Sequence, residues 1–270
     1  MAVGGGEVDG PTTSSNAAGG VRTVSASGTA NTKGAYVELV TSTAADADGM
    51  LVMYAQVTSN VSHLCDFSIG GAGSEVLMAT NLHLSAGNNV PEWFYVPGPI
   101  PAGSRIACRT QCSTASSQLV ASCVLVKGGW FAPPPGGSIV TLGANTADSG
   151  GTPINAGAVA NTFGAWVQLT ASTPQDIKAM ALKVGGINNT TPTVGSGVFQ
   201  IGFGAAAAEV PVLAVPNRMG TALDNYGPMP DFWFPCSIPA GSRVAARWMS
   251  TVTDATDRVC DLIGYGLECA

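Results

Sequence analysis

Charged side chains are scarce in this sequence. They make up 10% of the 270 residues, with 11 Lys and Arg against 17 Asp and Glu and a formal net charge of −6. No basic cluster occurs, whereas a nucleic-acid-binding surface needs several neighbouring cations to neutralise phosphates. The composition therefore argues against nucleic acid as a partner.

Long apolar runs are absent as well. The longest apolar stretch, Val198 to Val215, is interrupted by Gln200, Glu209, Pro211 and glycines, so it does not suit a membrane-spanning helix. The first ten residues, MAVGGGEVDG, have neither a cationic start nor an apolar core, unlike a secretory signal. These features predict a protein that is made in the cytoplasm, with no signal peptide and no membrane partner.

The usual catalytic motifs are also missing. The sequence has no Gly-x-Ser-x-Gly elbow, no P-loop and no Gly-x-Gly-x-x-Gly opening a helix. Of the two histidines, His63 and His83, the first lies near Cys65 and Asp66 and could begin a metal site, but no second Cys/His cluster follows at zinc spacing. We expect a loop histidine beside a buried thiol, and no catalytic, cofactor-binding or metal-binding residues.

One pair of carboxylates bears on hydrolysis, because a glycosidase needs only two of them. Glu75 and Glu209 recur in the two halves of the chain, together with Arg105 and Arg243. A catalytic centre built twice would be unusual, so the recurrence favours a structural Glu–Arg ion pair in each half. The sequence therefore predicts a protein that is not an enzyme, with a glycosidase as the last alternative.

What the chain does contain is an internal duplication. The segment FYVPGPIPAGSRIACR at 94–109 recurs as FWFPCSIPAGSRVAAR at 232–247, and ANTKGAYVELVTST at 30–43 recurs as ANTFGAWVQLTAST at 160–173. GGVRTVSASG at 19–28 matches GGSIVTLGAN at 136–145 at a smaller shift, which predicts an insertion of about 13 residues around 148–157. We interpret that insertion as a surface loop.

The composition indicates an all-β fold. The chain has 35 glycines and 46% hydrophobic residues, and each copy contains about seven or eight short β-prone segments separated by turn residues. We predict two tandem antiparallel β-sandwiches of jelly-roll type. Residues 1–20 form a flexible N-terminal arm, 21–127 the first sandwich, 128–136 a Gly/Pro linker, and 137–270 the second sandwich.

Four aromatic residues are candidates for an interface between subunits or for stacking on a glycan. Tyr95 and Trp233 occupy equivalent positions beside the duplicated turn, and Tyr36 and Trp166 alternate with the aliphatic residues of the duplicated strand. Core and inter-subunit packing is the favoured role, because aromatic side chains dominate both kinds of contact.

Seven cysteines are present and they do not recur between the copies. If the segments before and after the loop at 113–118 form one hairpin, Cys108 lies opposite Cys123, and an intrachain disulfide would add about 3 kcal/mol. Free buried thiols are an equal alternative. Cys269, next to the end of this sequence, is a candidate for an interchain disulfide.

The tandem ANTxGAxVxLTxST and IPAGSRIAxR pattern resembles accessory structural proteins of tailed-bacteriophage virions, a resemblance that covers most of residues 20–268. It implies capsid decoration, or a part of the neck, collar or tail. It further implies a homo-oligomer, with a trimer favoured, that docks on other virion proteins. The alternatives are a glycan-binding module, as in a tail tip or a lectin, and a double jelly-roll capsid protein.

Overall fold

The structure, a computed structural model, describes residues 8–9, 21–57, 61–84, 91–126, 138–186, 195–219, 233–252 and 260–268. These residues form β-strands and turns, and no helix long and apolar enough to cross a membrane occurs among them. The strands of the first half are β1 Val8–Asp9, β2 Arg22–Ser25, β3 Val37–Val40, β4 Ala47–Gln56, β5 His63–Ile69, β6 Val76–Leu84, β7 Glu92–Ile100, β8 Ile106–Cys112 and β9 Gln118–Val126. Those of the second half are β10 Ser138–Leu142, β11 Thr152–Ile154, β12 Val167–Thr170, β13 Ile177–Gly186, β14 Gly195–Phe203, β15 Val210–Met219, β16 Phe234–Ile238, β17 Val244–Ser250 and β18 Cys260–Glu268.

These strands build four antiparallel sheets. In the first half, sheet A1 has the order β1-β9-β4-β7 with β2 also on β9, and sheet B1 has the order β3-β8-β5-β6. In the second half, sheet A2 has the order β10-β18-β13-β16 with β11 also on β18, and sheet B2 has the order β12-β17-β14-β15. The prediction of an all-β protein with two tandem sandwiches is confirmed.

Each sandwich closes over a core that both of its sheets supply. In the first sandwich, Met50, Val52 and Tyr54 of A1 and Cys65 and Phe67 of B1 are fully buried in one cluster. Every second residue of these strands reaches the core, as the alternation of a pleated sheet requires. In the second sandwich Met180, Leu182, Phe199, Ile201 and Trp248 do the same.

The predicted insertion near Asp148 is wrong. β11 lies on β18 as β2 lies on β9, and Ile154 and Val24, 130 residues apart, are both fully buried. Residues 138–150 therefore correspond to residues that precede β2 in the first copy. Sequence matching was misled because β2 and β10 are both short strands that follow a Gly-Gly pair, so β2 was matched with β10 and not with β11.

That correspondence also changes the interpretation of the N-terminal segment. Val8 and Asp9 form a strand that pairs with Val126 and Leu125 of β9, so at these two residues the segment is part of sheet A1. The remainder of the predicted flexible arm at 1–20 lies outside the described residues, as does the predicted linker at 128–136.

The four alanines at 205–208 form a turn and not a helix, as their counterpart at 71–74 predicts. Both turns close with the same backbone hydrogen bond, from Ser74 to Gly71 and from Ala208 to Ala205, each 3.0 Å long. In the strands before these turns, equivalent residues of the two copies lie 134 positions apart in the sequence. Phe67 pairs with Cys108 in the first copy, and its equivalent Ile201 pairs with Ala246 in the second. The FSIG and FQIG motifs are therefore offset by two residues in the fold.

Candidate functional site

The outward face of each B sheet carries the same arginine at the start of its second strand. Arg105 precedes β8 and its guanidinium binds Glu75 at 3.1 Å and Glu38 at 3.0 Å. Arg243 precedes β17 and binds Glu209 at 2.6 Å and Gln168 at 2.9 Å. The predicted structural ion pair is confirmed in both copies, and it ties the turn after β5 or β14 to the neighbouring strand.

The environment of the two glutamates suits this structural role. Burial alone would raise the pKa of Glu75, but hydrogen bonds from backbone N–H groups and from Arg105 lower it below the usual value. The pKa of Glu209 is lowered in the same way, by Arg243 and by backbone N–H groups against the effect of burial. Each carboxylate is therefore held ionised by its own arginine, whereas a glycosidase acid needs a raised pKa.

A second arginine lies four residues further along each strand and covers an aromatic ring. The Cζ atom of Arg109 lies 4.5 Å from the ring centre of Tyr36, and Arg109 Nε donates to Asp66 at 2.9 Å. Asp66 also accepts a hydrogen bond from Lys33 Nζ at 2.7 Å. The pKa of Tyr36 is raised, mainly because the side chain is partly buried. The charge of Arg109 opposes this increase, and the charge of Asp66 adds to it.

The second copy has the equivalent arginine, Arg247, but aromatic and amide side chains surround it in place of the charged groups near Arg109. Arg247 lies 4.3 Å from the ring centre of Trp166 and 4.4 Å from that of Phe163, and it donates to Gln200 at 2.9 and 2.7 Å. Cation–π contacts of this kind stabilise a surface by about 0.5–2 kcal/mol. One face of the ring of Tyr36 and one face of the ring of Trp166 are thus covered by guanidinium groups.

Tyr95 and Trp233 meet where the two sandwiches touch. Trp233 Nε1 donates to the backbone oxygen of Tyr95 at 3.2 Å, and its ring lies 5.8 Å from that of Phe94. Tyr95 is 7% exposed, and burial raises the pKa of its hydroxyl. The structure places both residues in packing within one chain, and their predicted roles at a subunit interface or on a glycan stay predictions.

A buried ion pair lies beside these aromatic rings. Lys183 of β13 is 7% exposed, and its Nζ lies 3.3 Å from Glu92 Oε2 and 3.3 Å from the backbone oxygen of Trp93. The same ammonium group lies 5.8 Å from the ring centre of Phe94. Sequence reasoning missed this pair, because no repeat or spacing links Lys183 to Glu92 across 91 residues.

The segment around Asp148 also contacts the first sandwich. Ser149, which is fully buried, donates to Asn31 Oδ1 at 2.8 Å, and the amide of Gln111 donates to Ser149 Oγ at 3.1 Å and to the backbone oxygen of Thr146 at 2.8 Å. This segment was predicted to be a surface loop. It instead helps to hold the two sandwiches together.

The His63, Cys65 and Asp66 cluster is divided between the two faces of β5. His63 and Cys65 face the core, where His63 Nδ1 lies 3.2 Å from Thr110 Oγ1 and Nε2 lies 3.3 Å from Ser117 Oγ. Burial lowers the pKa of His63 to about 4 and raises that of Cys65 to about 12. His63 is therefore a strand residue of the core and not a loop histidine. In the described parts of the chain, no three His, Cys, Asp or Glu side chains are grouped to hold a metal ion.

The predicted disulfide between Cys108 and Cys123 is not formed. β8 and β9 belong to opposite sheets, so Cys108 lies across from Phe67 and Val37 while Cys123 lies across from Val52. Both are free, buried thiols, and burial raises the pKa of Cys123 to about 12. The hairpin assumption failed because the loop at 113–117 crosses from B1 to A1. Cys269 lies outside the described residues.

Comparison with known proteins gives distant similarities to solved structures. No protein-family model and no curated protein matches this chain. A structure of PNGF-II is similar with a TM-score of 0.40 and 8% identity over 93% of this chain, which spans 60% of that structure's length. The tandem CBM22-1–CBM22-2 domain of Paenibacillus barcinonensis Xyn10C is similar with a TM-score of 0.24 and 10% identity, covering 98% of this chain and 92% of that one. Similarity at these scores assigns no function.

Proposed function

We propose that this protein is a non-enzymatic structural component of a tailed-phage virion, which self-assembles and docks on capsid, neck or tail proteins. The proposal is supported by the contacts of the polar and aromatic side chains, which are made within the chain. The arginines, their carboxylates and the four candidate aromatic residues all hold strands or sandwiches together.

The contacts between the sandwiches suit such a role. A pair of domains joined only by a linker would move freely, whereas here apolar packing, the Lys183–Glu92 ion pair and the Ser149–Asn31 hydrogen bond fix one domain on the other. A rigid unit of this kind suits repeated packing on a particle surface.

A glycan-binding module is the weaker candidate. Glycan stacking needs an aromatic face that is open to solvent, and the rings of Tyr36, Trp166 and Trp233 are in contact with Arg109, Arg247 and Phe94 respectively. Binding to a glycan array that is lost in Trp166→Ala, while the protein stays folded, would favour this candidate over the structural role.

The direct test is the protein content of the particle. We expect mass spectrometry of purified virions of the phage whose genome encodes this chain to find it at a fixed copy number relative to the major capsid protein. Deleting its gene should change particle stability, or the density at one site in electron micrographs. Absence of the chain from purified virions would overturn the proposal.

A further inference from the structure

The contact between the two sandwiches joins two different kinds of surface. The second sandwich contributes the outer face of sheet A2, which we call the cap surface. On the cap surface, Ala181 is buried in the core cluster of the first sandwich. Three further residues of the second sandwich pack against the same cluster: Ile139, Ala144 and Trp233. The first sandwich contributes its β6/β7 side, which we call the acceptor surface. Thr80 of β6 there accepts a hydrogen bond from Thr141 of β10.

Because the chain is a duplication, the second sandwich has an acceptor surface of its own. The pairing of residues between neighbouring strands shows which positions of the two sandwiches are equivalent. By this pairing Phe234 is the counterpart of Val96, and Val198 is the counterpart of Leu64. Val96 and Leu64 are fully buried, whereas Phe234 and Val198 are only half-buried. Three other residues on this side of the second sandwich are also half-buried: Leu213, Cys236 and Met249. Their counterparts in the first sandwich, in the same order, are all buried: Ala79, Gly98 and Gln111. Nothing among the described residues covers this surface as the second sandwich covers the first.

Within the part of the chain that the structure describes, nothing covers the cap surface of the first sandwich either. Leu51 and Met53 of β4 are the counterparts of Ala181 and Lys183, and they are half-buried where Ala181 and Lys183 are 1% and 7% exposed. Trp93, beside Met53 in the ladder, is 41% exposed. The outward face of an antiparallel sheet is normally polar, so an apolar one calls for a partner.

We propose that copies of this chain join head to tail, with the cap surface of the first sandwich of one copy packed on the acceptor surface of the second sandwich of the next. The contact within the chain is the template for the contact between chains. This inference rests on the proposed structural role and adds the surface and the partner, a second copy of the chain. A contact between unlike surfaces closes into a ring if the rotation allows, and otherwise extends as a filament.

The duplicated sequence supports the pairing of these two surfaces. Where the cap surface of the second sandwich has Lys183, that of the first has Met53, so the first cap lacks the cation that pairs with Glu92. An uncharged cap does not require a carboxylate in the acceptor surface that it meets.

Three variants test the proposal on the full chain. Leu51→Glu with Met53→Glu blocks the cap surface, and Phe234→Glu blocks the acceptor surface, with Cys236→Arg as a second acceptor variant should Phe234→Glu fail to fold. Val76→Glu is the matched control, because Val76 is 61% exposed at the start of β6, the strand whose Thr80 contacts the second sandwich. Light scattering after size exclusion gives the mass, and unfolding in urea shows that each variant is folded.

We expect the native protein and Val76→Glu to form multimers and each blocked variant to have the mass of one chain. Mixing a cap-blocked with an acceptor-blocked variant leaves one intact cap and one intact acceptor, so the mixture should stop at the mass of two chains. A native protein that remains monomeric at its highest soluble concentration, or folded blocked variants that still form multimers, would overturn the inference. Detection of the chain in virions would leave the structural role intact in either case.

Discussion

At position 207 an alanine stands where the duplicated turn uses glycine. Ala207 has a φ of 64° and its counterpart Gly73 has a φ of 84°. The left-handed region costs an L-residue about 1–2 kcal/mol, because its Cβ approaches the following carbonyl oxygen, and glycine avoids this cost.

Ala207→Gly should therefore raise the free energy of unfolding of the second sandwich by about 0.5–1 kcal/mol, the relief of strain being larger than the entropy that glycine adds to the unfolded chain. The adjacent exposed Ala206, whose φ is not positive, is the control, and Ala206→Gly should destabilise by about 0.5 kcal/mol. Urea unfolding of the two variants measures the difference. Equal effects would contradict the strain argument.

The two histidines give the first sandwich a pH-dependent stability. Burial lowers the pKa of His63 and of His83 from 6.5 to about 4. The unfolded chain binds protons at these groups first, so the stabilisation is complete above pH 6.5 and is lost progressively as the pH falls toward 4. From about pH 7.5 to about pH 5.5 the loss should be about 1.4 kcal/mol for each histidine.

His63→Gln should remove about half of that loss, and urea titrations of both proteins at the two pH values measure it. The second sandwich supplies a reference, since residues 137–270 contain no histidine. An undiminished loss of stability in His63→Gln over this range would show that other groups are responsible.

At the scale of strands and turns, the two copies solve the same packing problem with different side chains. The first sandwich pairs Cys65 with Thr110 and places His63 beside them, while the second pairs Phe199 with Trp248, whose rings stack at 5.3 Å, and has Gly197 in place of His63. A Cβ on Gly197 would lie 2.3 Å from Trp248 Nε1, so the indole needs this glycine. The missing side chain at Gly197 makes room for the larger Trp248, so a different combination of side chains fills this layer.

The repeated arginine is the main polar tie between turn and strand. Arg243→Met would leave Glu209, whose side chain is 1% exposed, as a buried carboxylate without its cation. We expect a loss of about 3 kcal/mol in the free energy of unfolding of the second sandwich. Lys178→Met is the control, because its pair with Asp176 is exposed on both sides and should contribute far less to stability. Similar losses in the two variants would refute the role of burial.

At the scale of the whole molecule, the sandwiches stabilise each other through Trp233. Trp233→Ala removes its contact with Phe94 and its hydrogen bond to Tyr95 and opens the core of the first sandwich, so we expect that sandwich to lose about 2–3 kcal/mol. Trp93→Ala, at an exposed site, should cost less than about 1 kcal/mol. If Trp233→Ala affects only the second sandwich, the two domains are stabilised independently.

The sequence by itself determined the duplication, the all-β class and the Glu–Arg pairs. These depend on local features: turn residues stop strands, alternation sets faces, and a repeat must fold the same way twice. Arg105 and Glu75 could be paired because their counterparts recur together in the second copy.

Only the tertiary structure decided how strands far apart in the chain are arranged. It placed Cys108 and Cys123 in opposite sheets, moved Ser149 from a supposed surface loop into the contact between sandwiches, and brought Lys183 to Glu92. The sheet that a strand joins depends on the total apolar area buried when whole sheet faces pack together, and so does the surface that covers another. Residues that are neighbours in the sequence do not encode this total.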